Sequence, residues 1–331
     1  MVIPPKYKIT SQILELISKI DANLIYLSSL SLPAGISNKI QRTSLLKSSL
    51  YSARIEGNPL LPEQINFSDD EKVEKKEVLN LLKALEFIKK NIRVSSAISS
   101  KILFAMHSII MTGLPDQTDN YRQESGAIFN TAGVAVYITP SPVKIPQLIK
   151  QLLNYCNLRE EKFPLVKAFI AHLIFEKIHP FLDGNGRVGR LLIYAILKSK
   201  QKINSSFIPF EEYLDKHKEE YYFHLDNGLS KPNDYLIFML EAYLAQTNEV
   251  KLVIEEELKK DKTIFLPPRQ EEIYNIIKDH NVISFDEIKR RFLKVPSRTL
   301  SYDLKKLINK KLVIKIGETK GTYYKIAVFV P

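Results

Sequence analysis

The stretch His179-Pro180-Phe181-Leu182-Asp183-Gly184-Asn185-Gly186-Arg187-Val188-Gly189-Arg190 sets a histidine, a carboxylate, three glycines, an amide and two arginines within twelve residues. Each type has a separate task on a polyphosphate. Glycines let backbone N–H groups close around phosphate oxygens, and arginines clamp them with two-pronged hydrogen bonds. A carboxylate can hold Mg²⁺, and histidine is the side chain best suited to take a proton near neutral pH. Upstream, Leu165, Val166, Phe169, Ile170, Leu173, Ile174 and Ile178 predict an amphipathic helix over Phe163 to Ile178. Downstream, Val188 to Leu197 reads as a second helix, largely apolar and therefore buried. The loop then joins a helix C-terminus to a helix N-terminus. The second end offers free N–H groups and partial positive charge, which suit an anion. The first ends beside His179, where partial negative charge favours the imidazolium.

Gly184, Gly186 and Gly189 also spell G-x-G-x-x-G. The dinucleotide-binding and kinase readings of that pattern need a strand before the glycines, and here a helix is predicted. A strand lysine with an H-R-D loop is missing, as is a G-K-[ST] P-loop. Context excludes all three.

At every defined position His179 to Arg190 matches H-P-F-x-D-G-N-G-R-x-G-R, the signature of Fic proteins, and the chain resembles that family. The resemblance implies a helical enzyme that transfers AMP from ATP onto a Ser, Thr or Tyr hydroxyl of a target protein. It implies His179 as the general base and Asp183 as the Mg²⁺ ligand. ATP would be held by Gly184, Asn185, Gly186, Arg187, Val188, Gly189 and Arg190. Arg190 would grip the γ-phosphate, while the backbone of Gly184 to Gly186, with Asn185 and Arg187, would stabilise growing charge.

At 331 residues the chain fits two or three domains. Its single Cys156 excludes an internal disulfide and a multi-thiolate zinc site, which points to a reducing cytoplasm. No apolar run of signal-peptide length opens the chain, and no uninterrupted apolar stretch of about 18 residues occurs. Export and membrane contact are not expected. Lys and Arg total 48 against 37 Asp and Glu, a net +11. Ile264 to Pro331 holds 14 basic and 7 acidic residues, so +7 of that excess lies there.

Residues 10 to 110 are mostly helical in pattern, with a break at Leu32-Pro33-Ala34-Gly35. A helix is predicted from Thr43 to Glu56, ending at Gly57-Asn58-Pro59. Glu56 is oddly placed, because an anion in the last turn opposes the helix dipole. Ser52-Ala53-Arg54-Ile55-Glu56-Gly57 resembles the Fic inhibitory motif [ST]-x-x-x-E-[GN]. The resemblance implies that Glu56 pairs with Arg190 and withholds it from ATP, since one arginine fork cannot serve a carboxylate and a phosphate together. Glu77 to Ile88 reads as a further helix, for packing.

Between Tyr121-Arg122 and Pro140-Ser141-Pro142, β-branched and aromatic residues flank Gly133 and predict a short hairpin. By resemblance this is the flap that aligns the target backbone, with Thr131, Ala132, Gly133 and Val134 at its tip. Glu219 to Leu225 resembles the family's Tyr-Tyr helix, so Tyr221 and Tyr222 would help wall the adenosine pocket. Core packing is the other reading of both tyrosines. His107, His172, His217, His224 and His280 read as satisfied core or surface histidines.

Helical patterns over Arg269 to His280, Ser284 to Phe292 and Ser297 to Asn309 precede two strand-like runs around Gly317 to Gly321. Three helices and a hairpin make a winged helix. Arg298, Ser301, Lys305 and Lys306 on its third helix, and Lys320 in the wing, would be its DNA contacts. Protein docking is the alternative use of such a module.

The expected protein is mainly α: a Fic-type helical bundle with a small β-hairpin flap, plus a C-terminal winged-helix domain. Residues 1–100 form the N-terminal helical region with its inhibitory helix at about 43–57. Residues 101–258 form the catalytic core, 259–268 a linker and 269–331 the winged helix. The expected activity is protein adenylyltransfer, inhibited by Glu56, with ATP and Mg²⁺ and with the chain itself as a further acceptor. Two alternatives stay open. One is removal of AMP, or transfer of another phosphate-containing group, on the same fold; the other is a nucleotide-sensing DNA-binding regulator.

Overall fold

A computed structural model describes residues 1–30, 32–64, 72–115, 118, 120–129, 135–158, 161–200, 208–262, 266–317 and 321–327. The chain is mainly α and divides into two units, Met1–Glu256 and Glu257–Pro331. The first carries α1 (Ser11–Ser29), α2 (Ala34–Ile55), α3 (Val73–Asn91) and α4 (Ser100–Met111). Strands β1 (Ala127–Phe129) and β2 (Ala135–Ile138) follow, then α5 (Ile145–Asn157), α6 (Pro164–Ile178) and α7 (Asn185–Lys200). Next come α8 (Glu211–Lys216), α9 (Lys218–Asn227) and α10 (Pro232–Lys262), whose last residues fall in the second unit.

The centre of the first unit is α6 packed on α7. Every residue of α6 from Leu165 to Ile178 is buried, so the helix that the spacing predicted is enclosed on all sides rather than amphipathic. A helix apolar on nearly all sides belongs inside a core. Its two lysines are accommodated there by partners: Lys167 Nζ donates to the Leu158 carbonyl, and Lys177 Nζ lies 3.4 Å from Asp226 Oδ1. Pro164 starts the helix, where a missing N–H costs nothing.

Helix α2 begins at Ala34 rather than Thr43, because Pro33 makes a sharper start signal than Gly35 makes a break. Its buried side mixes Ile36, Ile40, Leu45, Leu50 and Ile55 with Ser44, Ser48, Ser49 and Ser52, and it packs on α3 and α8. At its end Gly57 takes φ +103°, which a glycine adopts freely. Gly57 N donates to Arg54 O (2.9 Å) and Asn58 N to Ala53 O (3.1 Å), a Schellman closure. Strands β1 and β2 pair antiparallel, with Ala127 opposite Ile138, as the sequence predicted for a hairpin.

The second unit contains α11 (Pro268–His280), β3 (Val282–Ser284), α12 (Phe285–Arg291), α13 (Ser297–Asn309), β4 (Val313–Ile316) and β5 (Tyr323–Ile326). Its sheet has the order β3-β5-β4 and is antiparallel throughout. Strand β3 is a third strand that the two predicted runs omit; three residues are too few for alternation to register. Ser284 caps α12 in a capping box with Glu287. Leu300, Leu304 and Leu307 of α13 join Ile273, Ile277, Ile283 and Ile288 in this unit's own core. Lys259 to Lys262, expected in the linker, continue α10, because charge alone does not stop a helix built of Glu, Leu and Lys.

Candidate active site

Helix α6 ends at Ile178 and His179 caps it in the left-handed region, φ 49° and ψ 62°. A β-carbon makes that conformation costly, so surrounding contacts must hold it. His179 N donates to Phe175 O at 2.9 Å, and its carbonyl accepts from Arg122 Nε at 2.7 Å. Ring Nδ1 lies 3.3 Å from the Glu176 carbonyl, so a proton on Nδ1 leaves Nε2 as the basic nitrogen. Burial lowers the imidazole pKa; Arg122 pushes the same way, while the Glu176 carbonyl, Glu56 and Asp183 oppose it. The expectation that the helix end favours imidazolium is therefore corrected, since desolvation of the charged form outweighs the dipole. His179 stands neutral near pH 7, the form able to accept a proton.

The turn after it is held rigidly. Asn185 Oδ1 accepts from Phe181 N and Asn185 Nδ2 donates to Phe181 O, both at 2.8 Å. Its buried amide is thus occupied in closing the loop. Phe181 stacks on His107 with centroids 3.8 Å apart, and His107 Nε2 lies 3.1 Å from the Asp183 carbonyl. Gly184 takes φ +81°, which L side chains rarely adopt, and a β-carbon there would lie 3.1 Å from Ile110 Cδ1 and from Met111 Sδ. Helix α7 begins at Asn185, so the N–H groups of Asn185, Gly186 and Arg187 lack intrahelical acceptors.

Over that first turn lies Glu56. A β-carbon on Gly186 would fall 2.1 Å from Glu56 Oε1, so only glycine admits the carboxylate there. Glu56 Oε1 accepts from Arg190 Nη2 at 2.8 Å, while Arg190 Nε donates to Ser52 Oγ at 2.9 Å and Nη2 to Ser52 O at 2.8 Å. Arg190 is buried, at 1% exposure, whereas the Glu56 side chain keeps 36%. Burial alone would lower the arginine's pKa, but Glu56, then Tyr221 and Glu176, raise it overall. The anion misplaced at the end of α2 is thereby compensated across space. Tyr222 Oη donates to Ile55 O at 3.0 Å and fixes that end of the helix.

Arg187 Nη2 donates to Asp183 Oδ2 at 2.7 Å, and Nη1 lies 3.5 Å from Glu77 Oε1. Glu77, expected only to pack, is therefore part of this cluster. Asp183 Oδ1 also accepts from Gly184 N at 2.6 Å, yet half of the side chain (51%) remains exposed. Among the described residues no group of three or more His, Cys, Asp and Glu could hold a metal. A lone accessible carboxylate fits Mg²⁺, which keeps waters and binds through one or two carboxylates plus substrate phosphates.

Tyr221 lies in the core, 1% exposed, rather than on an open wall. Its hydroxyl lies 3.1 Å from His172 Nε2, and His172 Nδ1 lies 2.7 Å from Tyr235 Oη. Burial drives the His172 pKa down to about 3, so this is a neutral, satisfied core histidine. Glu176 is buried beside it, and burial raises its carboxyl to about 8. A β-carbon on Gly189 would meet Glu176 Oε1 at 2.1 Å and His172 Cδ2 at 3.2 Å. Gly189 therefore makes room for a buried carboxyl, and Gly189→Ala should destabilise the fold by about 1–3 kcal/mol through overpacking. Urea unfolding checks this: Glu176→Ala in the same chain should recover most of the loss, and an unaltered midpoint in the single variant would refute it.

Thr131, Ala132, Gly133 and Val134, the expected flap tip, lie outside the described residues, as does Lys320. Arg298, Ser301, Lys305 and Lys306 are exposed along α13. Val188 is buried in α7. Sequence reasoning missed Arg122 and Glu176 as members of this site, and it named Ser52 only as part of the inhibitory motif, not as a partner of Arg190. Glu176 left a trace, the single carboxylate in a largely apolar helix; Arg122 left none.

Residues 97–197 match the Fic/DOC family. A 101-residue stretch is 42% identical to a protein of Aquifex aeolicus named "Probable protein adenylyltransferase", covering 30% of this chain and 30% of that one. A protein adenylyltransferase Fic of Nematostella vectensis is 26% identical over 267 residues, 73% of this chain and 58% of the relative. The chain thus spans about a third to three-fifths of the length of these relatives. The crystal structure of a Fic family protein from Desulfovibrio desulfuricans shares the fold at TM-score 0.69 and 24% identity, covering 97% of this chain and 98% of that one.

Proposed function

The chain belongs to the Fic family, and from that premise we propose that it is a protein adenylyltransferase held in an inhibited state by Glu56. The observation that carries the reading is the meeting of His179, Asp183, the first turn of α7 and Arg190 around one loop, with Glu56 seated on Arg190. A target hydroxyl gives its proton to neutral His179 Nε2, and the oxygen attacks the α-phosphorus of ATP. The bond from that phosphorus to the bridging oxygen breaks, and pyrophosphate leaves. N–H groups at the start of α7 receive the phosphate charge, as helix N-termini do. Asn185 and Phe181 keep those groups in place. Mg²⁺, when bound at Asp183, neutralises part of the phosphate charge. Arg190, once free of Glu56, serves the terminal phosphate, for which its planar fork is suited.

ATP labelled separately at the α- and γ-phosphorus tests the reaction type on the Glu56→Gly chain. The α label should become attached to protein and the γ label should not. Attachment of the γ label would mean phosphoryl transfer and would contradict the proposal.

A second reading, DNA docking by the C-terminal unit as a winged helix, is supported by the exposed row Arg298, Ser301, Lys305 and Lys306 and by the local excess of +7. Its signature is affinity that falls steeply with salt.

A further inference from the structure

Arg122 is 6% exposed, and among the described residues its side-chain hydrogen bonds go to backbone carbonyls only. Nη1 donates to Glu124 O at 2.6 Å, just before the β1–β2 hairpin, and Nη2 to Pro140 O at 2.6 Å, just after it. Nε donates to His179 O at 2.7 Å, and Nη2 reaches Ile178 O at 3.4 Å. Its backbone N–H donates to Pro180 O at 2.9 Å. One guanidinium thus ties the two ends of the hairpin to the end of α6.

We propose that Arg122 is a positioning residue that holds the β1–β2 hairpin and His179 as a single unit, so that a peptide aligned by the hairpin meets the base in register. This rests on His179 being the base. The chemistry calls for arginine specifically. Its five donors leave a rigid plane in fixed directions, whereas lysine offers three donors at one point. The carbonyls at the end of α6 carry the negative end of the helix dipole, which a fixed cation complements. That cation also disfavours a second positive charge on the neighbouring imidazole. The other charged groups acting on His179 are Glu56 from α2 and Asp183 from the loop, both of opposite sign to Arg122. A hairpin with a free edge binds an extended peptide by adding it as a strand, so the hairpin's position relative to the base fixes which hydroxyl is presented.

The test compares Arg122→Lys and Arg122→Gln in the full-length Glu56→Gly chain. AMP transfer should fall roughly 10–100-fold in both, the cost of a misplacement near 1 Å, while ATP affinity stays at the parent value. Hydrogen exchange at residues 127–129 and 135–138 should quicken in both. NMR titration with ¹³C-labelled histidine separates charge from geometry: the His179 pKa should rise in Arg122→Gln and stay low in Arg122→Lys. Transfer within about twofold of the parent, an unmoved titration in Arg122→Gln, or joint loss of ATP affinity and helical signal in both variants would each overturn the proposal. If the Glu56→Gly parent transfers nothing, the adenylyltransferase reading fails instead, and exchange and titration still decide whether Arg122 couples hairpin and histidine.

Discussion

Replacing Glu56 with glycine should raise AMP transfer roughly 10–100-fold, the worth of one charge-assisted hydrogen bond returned to the substrate. In the parent, Arg190 Nη2 is held by Glu56 Oε1 at 2.8 Å, and the carboxylate covers Gly186 at the first turn of α7. That turn is where phosphate oxygens would accept backbone hydrogen bonds. Removing the carboxylate frees the arginine and uncovers the turn in one step. It also leaves the buried Arg190 cation with Ser52 as its remaining hydrogen-bond partner among the described residues, and an uncompensated buried charge is destabilising. Glu56→Gly should therefore melt below the parent without nucleotide, and ATP should raise its Tm more than it raises the parent's. Unchanged transfer together with equal ATP-induced shifts would show that Glu56 does not compete for this site.

His179→Ala should lower transfer by at least about 10²–10⁴-fold, the range expected for loss of a general base. ATP affinity should persist, because the phosphate-facing groups lie on α7 and the loop before it. The pH profile gives a second check on the same residue. His179 must be neutral to accept a proton, and burial lowers its pKa below the ordinary value of about 6.5. Transfer by Glu56→Gly should therefore hold as the pH falls through 6.5 and be lost only as the lowered pKa is crossed. An acid limb centred at or above 6.5 would contradict the burial argument.

The helices around the loop were legible because their signals are local. Apolar spacing placed α6 and α7, and Gly57 marked the end of α2 through the φ it alone adopts readily. Glu56 was visible as an anomaly, an anion at the wrong end of a helix, and Arg190 some 134 residues away explains it. Other parts depend on contacts that no local pattern encodes. That α6 is buried on all sides depends on Asp226 and the Leu158 carbonyl meeting its lysines from elsewhere in the chain. Gly189 carries the same letter in the motif as Gly186, yet one accommodates Glu176 and the other Glu56. Arg122 binds carbonyls, which every residue has, so its sequence neighbours reveal nothing about it.

The central claim is that Glu56 restrains a base-catalysed AMP transfer centred on His179. Intact-mass spectrometry tests it on the parent chain, Glu56→Gly and Glu56→Gly/His179→Ala, each incubated with ATP, Mg²⁺ and cell-extract proteins as acceptors. AMP-sized adducts, on the chain or on an acceptor, should be abundant with Glu56→Gly, scarce with the parent and absent with the double variant. Equal adducts with the single and double variants, or none above the parent with Glu56→Gly, would contradict it.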